Sequence, residues 1–143
     1  MAKNLFTEEQ KEDIVSAIKE AELNTSGEIR VHLEKSCPED VMDRAAFIFE
    51  KLKMHKTELR NGVLFYLAVK DHKFAILGDA GLNAKVPDGF WDEIKELMLD
   101  HFRKEDFSGG LAQGILKSGE QLKAHFPYQT DDVNELSDDI SFG

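Results

Sequence analysis

The sequence has few of the features that mark secreted, membrane-bound or nucleic-acid-binding proteins. Its 143 residues include one cysteine, Cys37, which excludes an internal disulfide, so nothing requires an oxidising compartment. No apolar run near the start resembles a signal peptide or an anchor. Lys and Arg number 18 against 28 Asp and Glu, which argues against binding a phosphate backbone. We therefore expect a cytoplasmic monomer whose partners are divalent cations or proteins, with no nucleic acid and no membrane anchor.

Sequence motifs for zinc, nucleotide and nucleophile chemistry are also missing. The five histidines and Cys37 show no paired zinc-ligand spacing, and there is no phosphate-binding glycine loop or nucleophile elbow. The segment that begins at Asp79 is not an EF-hand, because Ala84 stands at its sixth position and Phe90 at its twelfth. A cation site would have to combine residues that are distant in the sequence.

Negative charge is concentrated at the C-terminal end of the chain. The net charge is −10, and residues 128–143 contain five acids and no Lys or Arg, so this segment carries half of it. Its low apolar content is typical of a solvated or disordered tail. We predict one folded domain over residues 1–127 and a disordered acidic tail over residues 128–143.

Hydrophobic periodicity predicts an α/β domain. Residues 28–34 alternate polar and apolar side chains, which indicates a half-buried strand. Residues 63–69 form an unbroken apolar run, typical of a central strand covered on both faces. A hairpin leads into a third, antiparallel strand at 74–77. Helical periodicity covers four segments: 8–23, 38–52, 88–102 and 108–126. This order predicts a Rossmann-like three-layer α/β/α sandwich around a small mixed sheet.

Strand directions predict that several acids meet at one edge of this sheet. Glu28 begins the first strand and Asp79 follows the third, so both belong to the same edge. Asp88 ends a long loop over residues 78–89 and Asp106 precedes the last helix, and we expect both at that edge too. Clustered carboxylates repel unless a cation joins them. We therefore predict a Ca²⁺ or Mg²⁺ site with the ligands Glu28, Asp79, Asp88 and Asp106, and Asn83 as a weaker candidate.

Three of these four acids also have an ordinary structural interpretation. Asp88 is suited to a helix N-cap, Asp106 to a turn, and Glu28 to a solvated strand end. The prediction of a cation site therefore depends on the inferred convergence of the four carboxylates.

Several sequence motifs, in their order and spacing, resemble the TPM domain family. They are Thr25-Ser26-Gly27-Glu28-Ile29, Asn61-Gly62-Val63-Leu64, Gly78-Asp79-Ala80-Gly81-Leu82-Asn83, Val86-Pro87-Asp88, and the stretch from Phe102 to Leu111. The resemblance covers nearly all of residues 6–126 and implies an α/β/α sandwich. It also implies binding of divalent cations, Ca²⁺ in particular, at acidic positions that correspond here to Glu28, Asp79, Asp88 and Asp106. The resemblance to plant members of the family also implies acid phosphatase activity.

Two functions are compatible with this resemblance and with the residues. The first is a soluble domain in which cation binding orders a regulatory or partner-binding surface. The second is a metal-assisted phosphatase, in which the cation polarises a phosphoryl oxygen and a carboxylate acts as general base for water. Arg60 is the arginine that the topology places at the correct edge, but no nucleophile with a paired base is evident, so catalytic residues stay unassigned.

Overall fold

A computed structural model describes residues 5–128 and 136–143 of the chain. The helices are α1 (Glu8–Asn24), α2 (Val41–Lys51), α3 (Ala80–Lys85), α4 (Asp92–Arg103) and α5 (Phe107–Leu122). The strands are β1 (Glu28–Glu34), β2 (Gly62–Ala68), β3 (Lys73–Gly78) and β4 (Ser141–Phe142). None of the helices in these described ranges combines the length and hydrophobicity needed to cross a bilayer.

The strands form one mixed sheet in the order β3-β2-β1-β4. β1 and β2 run parallel with Glu28 opposite Gly62, and α2 lies in the crossover between them. β3 returns antiparallel to β2 with Gly78 opposite Val63. The starts of β1 and β2 and the end of β3 therefore share one edge, as the sequence predicts.

Helices cover both faces of the sheet and produce three layers. Every residue of β2 is buried, so this strand requires apolar partners on both faces. Its odd-numbered side chains, such as Phe65, pack in a core with α1, α4 and α5. Its even-numbered side chains, such as Tyr66, pack in a second core with α2. The predicted α/β/α sandwich is confirmed.

Four helices begin at side-chain caps, and two of these caps are acids that the sequence predicts as cation ligands. Thr7 and Gln10 form a reciprocal capping box at the start of α1. Asp40 accepts hydrogen bonds from backbone N–H groups at the start of α2. Asp79 caps α3 and Asp106 caps α5. Asp79 and Asp106 therefore both have a structural role as helix caps, whereas the structural role expected for Asp106 was that of a turn residue.

The structure differs from the sequence prediction in two segments. The predicted loop at 78–89 contains the short helix α3. Part of the predicted disordered tail lies along β1, where β4 adds a fourth, parallel strand. Residues 129–135 of that tail, with three of its five acids, lie outside the described residues.

Candidate functional site

The predicted edge of the sheet is organised by a two-pronged ion pair. Asp79 accepts hydrogen bonds from Arg60 Nε at 2.7 Å and from Arg60 Nη2 at 2.8 Å. A third hydrogen bond, at 2.7 Å, comes from the backbone N–H of Ala80. Asp79 is 5% exposed, whereas the Arg60 side chain is 49% exposed. The negative charge of the Asp79 carboxylate is thus compensated by the Arg60 guanidinium.

Local backbone geometry explains why Arg60 and Asp79 meet. Arg60 has a φ of 51°, in the left-handed region, and its carbonyl oxygen accepts a hydrogen bond from Leu82 N at 3.1 Å. α3 approaches this loop so closely that a Cβ at Gly81 would overlap the carbonyl oxygen of Leu59. Gly81 therefore permits the approach that fixes the helix cap beside Arg60.

The Asp79 carboxyl group has a lowered pKa. Burial raises the pKa, but the hydrogen bonds from Arg60 and from the Ala80 N–H, together with the charge of Arg60, lower it by more. Asp79 is therefore a poor proton acceptor at neutral pH.

Glu28 lies at the same edge but has a different partner. The strand order separates it from Asp79 by β2, which places the two Cα atoms roughly two strand spacings, or about 10 Å, apart. Glu28 Oε1 accepts a hydrogen bond from the backbone N–H of Leu136 at 3.2 Å, and the side chain is 7% exposed. Glu28 thus faces the C-terminal segment.

Asp106 lies at the opposite end of the sheet from Glu28 and Asp79. The ring of Phe107, its neighbour in the chain, lies 5.7 Å from the ring of His72 in the hairpin between β2 and β3. The seven residues of β2 separate this hairpin from the Glu28 edge by about 20 Å. Asp106 bonds to His101 Nδ1 at 2.9 Å and accepts from Gly109 N at 3.2 Å. The expectation that Asp106 reaches the Glu28 edge is therefore wrong.

Asn83 and Asp88 line one cleft between α3 and the start of α4. The cleft has a volume of about 300 Å³, and its polar side chains come from Asn83, Asp88, Asp92 and Lys95, with Phe90 and Trp91 among its apolar walls. Asn83 donates its side-chain N–H to Gly78 O at 2.8 Å, which leaves the amide oxygen available. Asp92 is a member that the sequence prediction missed, because its position in the first turn of α4 gave it an ordinary structural role.

The donor set in this cleft consists of hard oxygen ligands. Two carboxylates and an amide oxygen suit Ca²⁺ or Mg²⁺ rather than a transition metal. Across residues 5–128 and 136–143, no group of three or more His, Cys, Asp or Glu side chains is arranged to hold a metal ion. A cation in this cleft would need water or backbone carbonyl oxygens to complete its shell.

A second cleft lies beside the Arg60–Asp79 pair. It measures about 370 Å³, and its polar lining comes from Glu50, His55, Arg60 and Asp79. The Arg60 guanidinium and the His55 imidazole in this lining suit an anion, because both groups present N–H donors.

A buried polar cluster at the other end of β1 was missed by sequence reasoning. Glu34 receives hydrogen bonds from Arg44 at 2.7 and 2.8 Å and from the Tyr66 hydroxyl at 2.7 Å. These hydrogen bonds keep the pKa of Glu34 low despite its burial. His32 stacks on Tyr66, and burial lowers its pKa to about 4, so its imidazole is neutral at pH 7. The alternating pattern of residues 28–34 predicted a solvated polar face here, but β4 and α2 contribute side chains that contact it.

The chain belongs to the TPM domain family, whose model matches residues 2–121. It is similar over most of its length to a solved structure, the BA42 protein from the psychrophilic bacterium Bizionia argentinensis. The two chains share 49% identity with a TM-score of 0.93, covering 97% of this chain and 96% of that one. No curated protein matches the chain.

Two more distant solved structures share the fold alone. The N-terminal domain of the cg2496 protein from Corynebacterium glutamicum has 15% identity and a TM-score of 0.67, covering 82% of this chain and 74% of that one. The N-terminal domain of a protein from P. gingivalis has 21% identity and a TM-score of 0.70, covering 87% and 83%.

Replacing Arg60 by Met should lower the melting temperature at pH 7, because buried Asp79 loses its cation. The native pKa of Asp79 lies below the unfolded value, so its contribution is present above about pH 3.8 and is lost as the pH falls through the native pKa. The difference in melting temperature between wild type and Arg60→Met should therefore shrink on acidification. Thermal unfolding followed by circular dichroism between pH 7 and pH 2.5 measures it.

Arg103→Met is the matched control, because Arg103 forms an exposed pair with Asp100 in which both side chains are more than 60% exposed. Its effect at pH 7 should be smaller than that of Arg60→Met. Equal effects for the two variants, or a difference for Arg60→Met that does not change with pH, would contradict the role given to the Arg60–Asp79 pair.

Proposed function

We propose that this TPM domain binds a divalent cation, Ca²⁺ or Mg²⁺, in the cleft between α3 and α4, and that the bound state is read by a protein partner. The observation that carries the proposal is the placement of Asn83, Asp88 and Asp92 around one cleft. Two of these three are among the five ligands predicted from the sequence. With few protein ligands and water completing the shell, affinity should be weak, with a Kd on the order of 10⁻⁵ to 10⁻³ M.

The availability of lone pairs distinguishes this cleft from the other predicted ligands. Asp79 is engaged by Arg60, and Asp106 by His101 and Gly109. Within the described residues, by contrast, Asp88 and Asp92 form no ion pair or side-chain hydrogen bond, and both are exposed. A cation at this cleft would reduce repulsion between the two carboxylates without breaking an existing contact.

Lys95 sets a limit on affinity because its ammonium group lines the same cleft. Its positive charge repels a cation and competes with it for Asp88 and Asp92. Cation binding would displace Lys95 and hold the segment between α3 and α4 against the first turn of α4. A partner would recognise this local ordering. In this proposal the protein is a cytoplasmic monomer.

Metal-stripped protein should melt at a higher temperature when Ca²⁺ or Mg²⁺ is added. A cation at 100 times its Kd stabilises the native state by about 2.7 kcal/mol, roughly 5–10 °C for a domain of this size. Asp88→Asn and Asp92→Asn should each reduce this shift, and Lys95→Met should increase it. Differential scanning calorimetry with and without 10 mM cation, a concentration about 10 times the upper Kd estimate and about 1,000 times the lower one, measures the shift.

Asp13→Asn is the control, because Asp13 is an exposed acid on α1. It removes the same charge but should leave the cation-induced shift unchanged. The proposal fails if neither cation raises the melting temperature of the wild type, or if Asp13→Asn reduces the shift as much as Asp88→Asn does.

A second candidate function, metal-assisted phosphate ester hydrolysis, is favoured by the cleft beside the Arg60–Asp79 pair. Arg60 Nε and Nη2 are used by Asp79, and the remaining Nη1 can donate to a phosphoryl oxygen. His55 lines the same cleft and can transfer a proton to the leaving group. Glu50, which lines the same cleft, would hold the cation, and the chemistry that the cation would supply is Lewis-acid polarisation of a phosphoryl oxygen.

Hydrolysis of p-nitrophenyl phosphate in the presence of Mg²⁺ or Ca²⁺ tests this second candidate. Activity should fall at least tenfold in His55→Gln, because a positioned acid or base typically contributes a factor of 10² to 10⁴. Arg103→Met should retain full activity. Turnover that survives in the double variant His55→Gln, Asp79→Asn would exclude this cleft as the active site.

A further inference from the structure

The C-terminal residues 136–143 lie along the outer edge of β1. Leu136 N donates to Glu28 Oε1 at the start of the strand, and Gly143 N donates to Leu33 O at 3.0 Å near its end. Between these points β4 pairs with β1 through Ser141 opposite His32 and Phe142 opposite Leu33. The segment therefore follows almost the whole of β1, whose edge presents a row of backbone donors and acceptors.

Side chains of the segment fit particular positions on the body of the domain. The Ser141 hydroxyl lies 2.8 Å from His32 Nδ1. The Phe142 ring lies under the ammonium group of Lys11, at 5.6 Å from its centroid. A Cβ at Gly143 would come within 2.6 Å of Glu34 Oε2 and 2.8 Å of His32 Nε2. This edge therefore selects a hydroxyl residue, then an aromatic residue, then glycine.

Charge at the edge adds a preference for acids before these three residues. Arg30 lies between Glu28 and His32 on the same face of β1, and its charge is attracted by Asp139. Asp138 forms a side-chain hydrogen bond with Glu22 of α1, whose pKa is raised to about 9 by burial and by that hydrogen bond. Glu22 therefore carries a proton at pH 7 and can donate it to an acidic residue at this position.

The segment is attached weakly to β1, although its side chains match the positions that they contact. Only two residue pairs form the β1–β4 ladder, against seven in the ladder between β1 and β2. Phe142 stays 36% exposed. Short, exposed terminal elements open at low free-energy cost, so an extended segment from another chain can compete for the same edge.

We propose that the edge of β1 is an acceptor groove for an extended segment of a partner protein with the order acid, acid, aliphatic, hydroxyl, aromatic, glycine, and that residues 136–143 occupy it in cis. The chain's own segment acts as a tethered competitor at a high effective concentration. A partner segment binds strongly only when the cis segment is weakened or displaced. This groove is separate from the α3–α4 cleft, so the proposal does not depend on whether the cleft binds a cation.

A fluorescently labelled peptide with the sequence of residues 136–143, blocked at both ends, is the probe. It is titrated by anisotropy against the full chain and against Gly143→Val, whose side chain would meet Glu34 and His32. Gly143→Val should bind the peptide at least tenfold more tightly than the wild type does, because the cis competitor is weakened. Phe142→Ala should likewise increase the affinity for the peptide. The substitution Glu96→Gln, at an exposed position on α4, should match the wild type.

The location of binding is checked by amide signals in two-dimensional NMR, where residues 29–34 should shift on addition of the peptide. A peptide with valine in place of its final glycine should bind to the Gly143→Val protein at least tenfold more weakly than the unmodified peptide does. This comparison uses the same protein variant for both peptides. Equal affinity for wild type and both tail variants would overturn the proposal, as would no binding at millimolar peptide. Concentration-dependent self-association of Gly143→Val without peptide binding would assign the edge to a second copy and overturn it too.

Discussion

The burial of β2 on both faces is the constraint on which the rest of the structure depends. All seven of its residues are buried, so helices must cover the sheet on both faces, and β1 and β3 must flank the strand. The parallel register with β1 and the antiparallel register with β3 then fix which residues reach each edge. Glu28 and Asp79 are placed by this register alone, before any side-chain chemistry is considered.

Compensation of acids is the second organising theme, as expected for a chain with 28 of them. Within residues 5–128 and 136–143, each buried carboxylate has hydrogen-bond donors: Arg60 and a backbone N–H for Asp79, Arg44 and Tyr66 for Glu34, and the Leu136 N–H for Glu28. These contacts offset the repulsion between carboxylates that was the reason for predicting a shared cation at the sheet edge. Oxygens available to a cation are found instead on exposed residues of the α3–α4 cleft.

Most of the fold could be predicted from the sequence because its signals are periodic and local. The alternation over residues 28–34 and the apolar run that begins at Val63 gave the two parallel strands, and strand order followed from the crossover and the hairpin. β4 could not be predicted in this way, because a two-residue strand has no periodicity and its neighbours are acidic. Its position depends on contacts with β1 more than 100 residues away in the sequence.

The candidate site was only partly predictable, and the error at Asp106 has a simple geometric cause. α4 has 12 residues and is therefore about 18 Å long, so Asp88 before it and Asp106 after it lie at opposite ends. A predicted helix between two proposed ligands is thus evidence against a shared site. Asp92 was overlooked for the opposite reason, since acids in the first turn of a helix are common without any ligand.

The most direct test of the account is a two-dimensional NMR titration of metal-free, isotope-labelled protein with Ca²⁺ and then Mg²⁺. If the α3–α4 cleft holds the cation, the largest changes fall on the amide signals of residues 83–95, with an apparent Kd between about 10⁻⁵ and 10⁻³ M. Changes centred on Glu28 and Asp79, or on Asp106, would contradict it, and so would spectra that do not change at 10 mM cation.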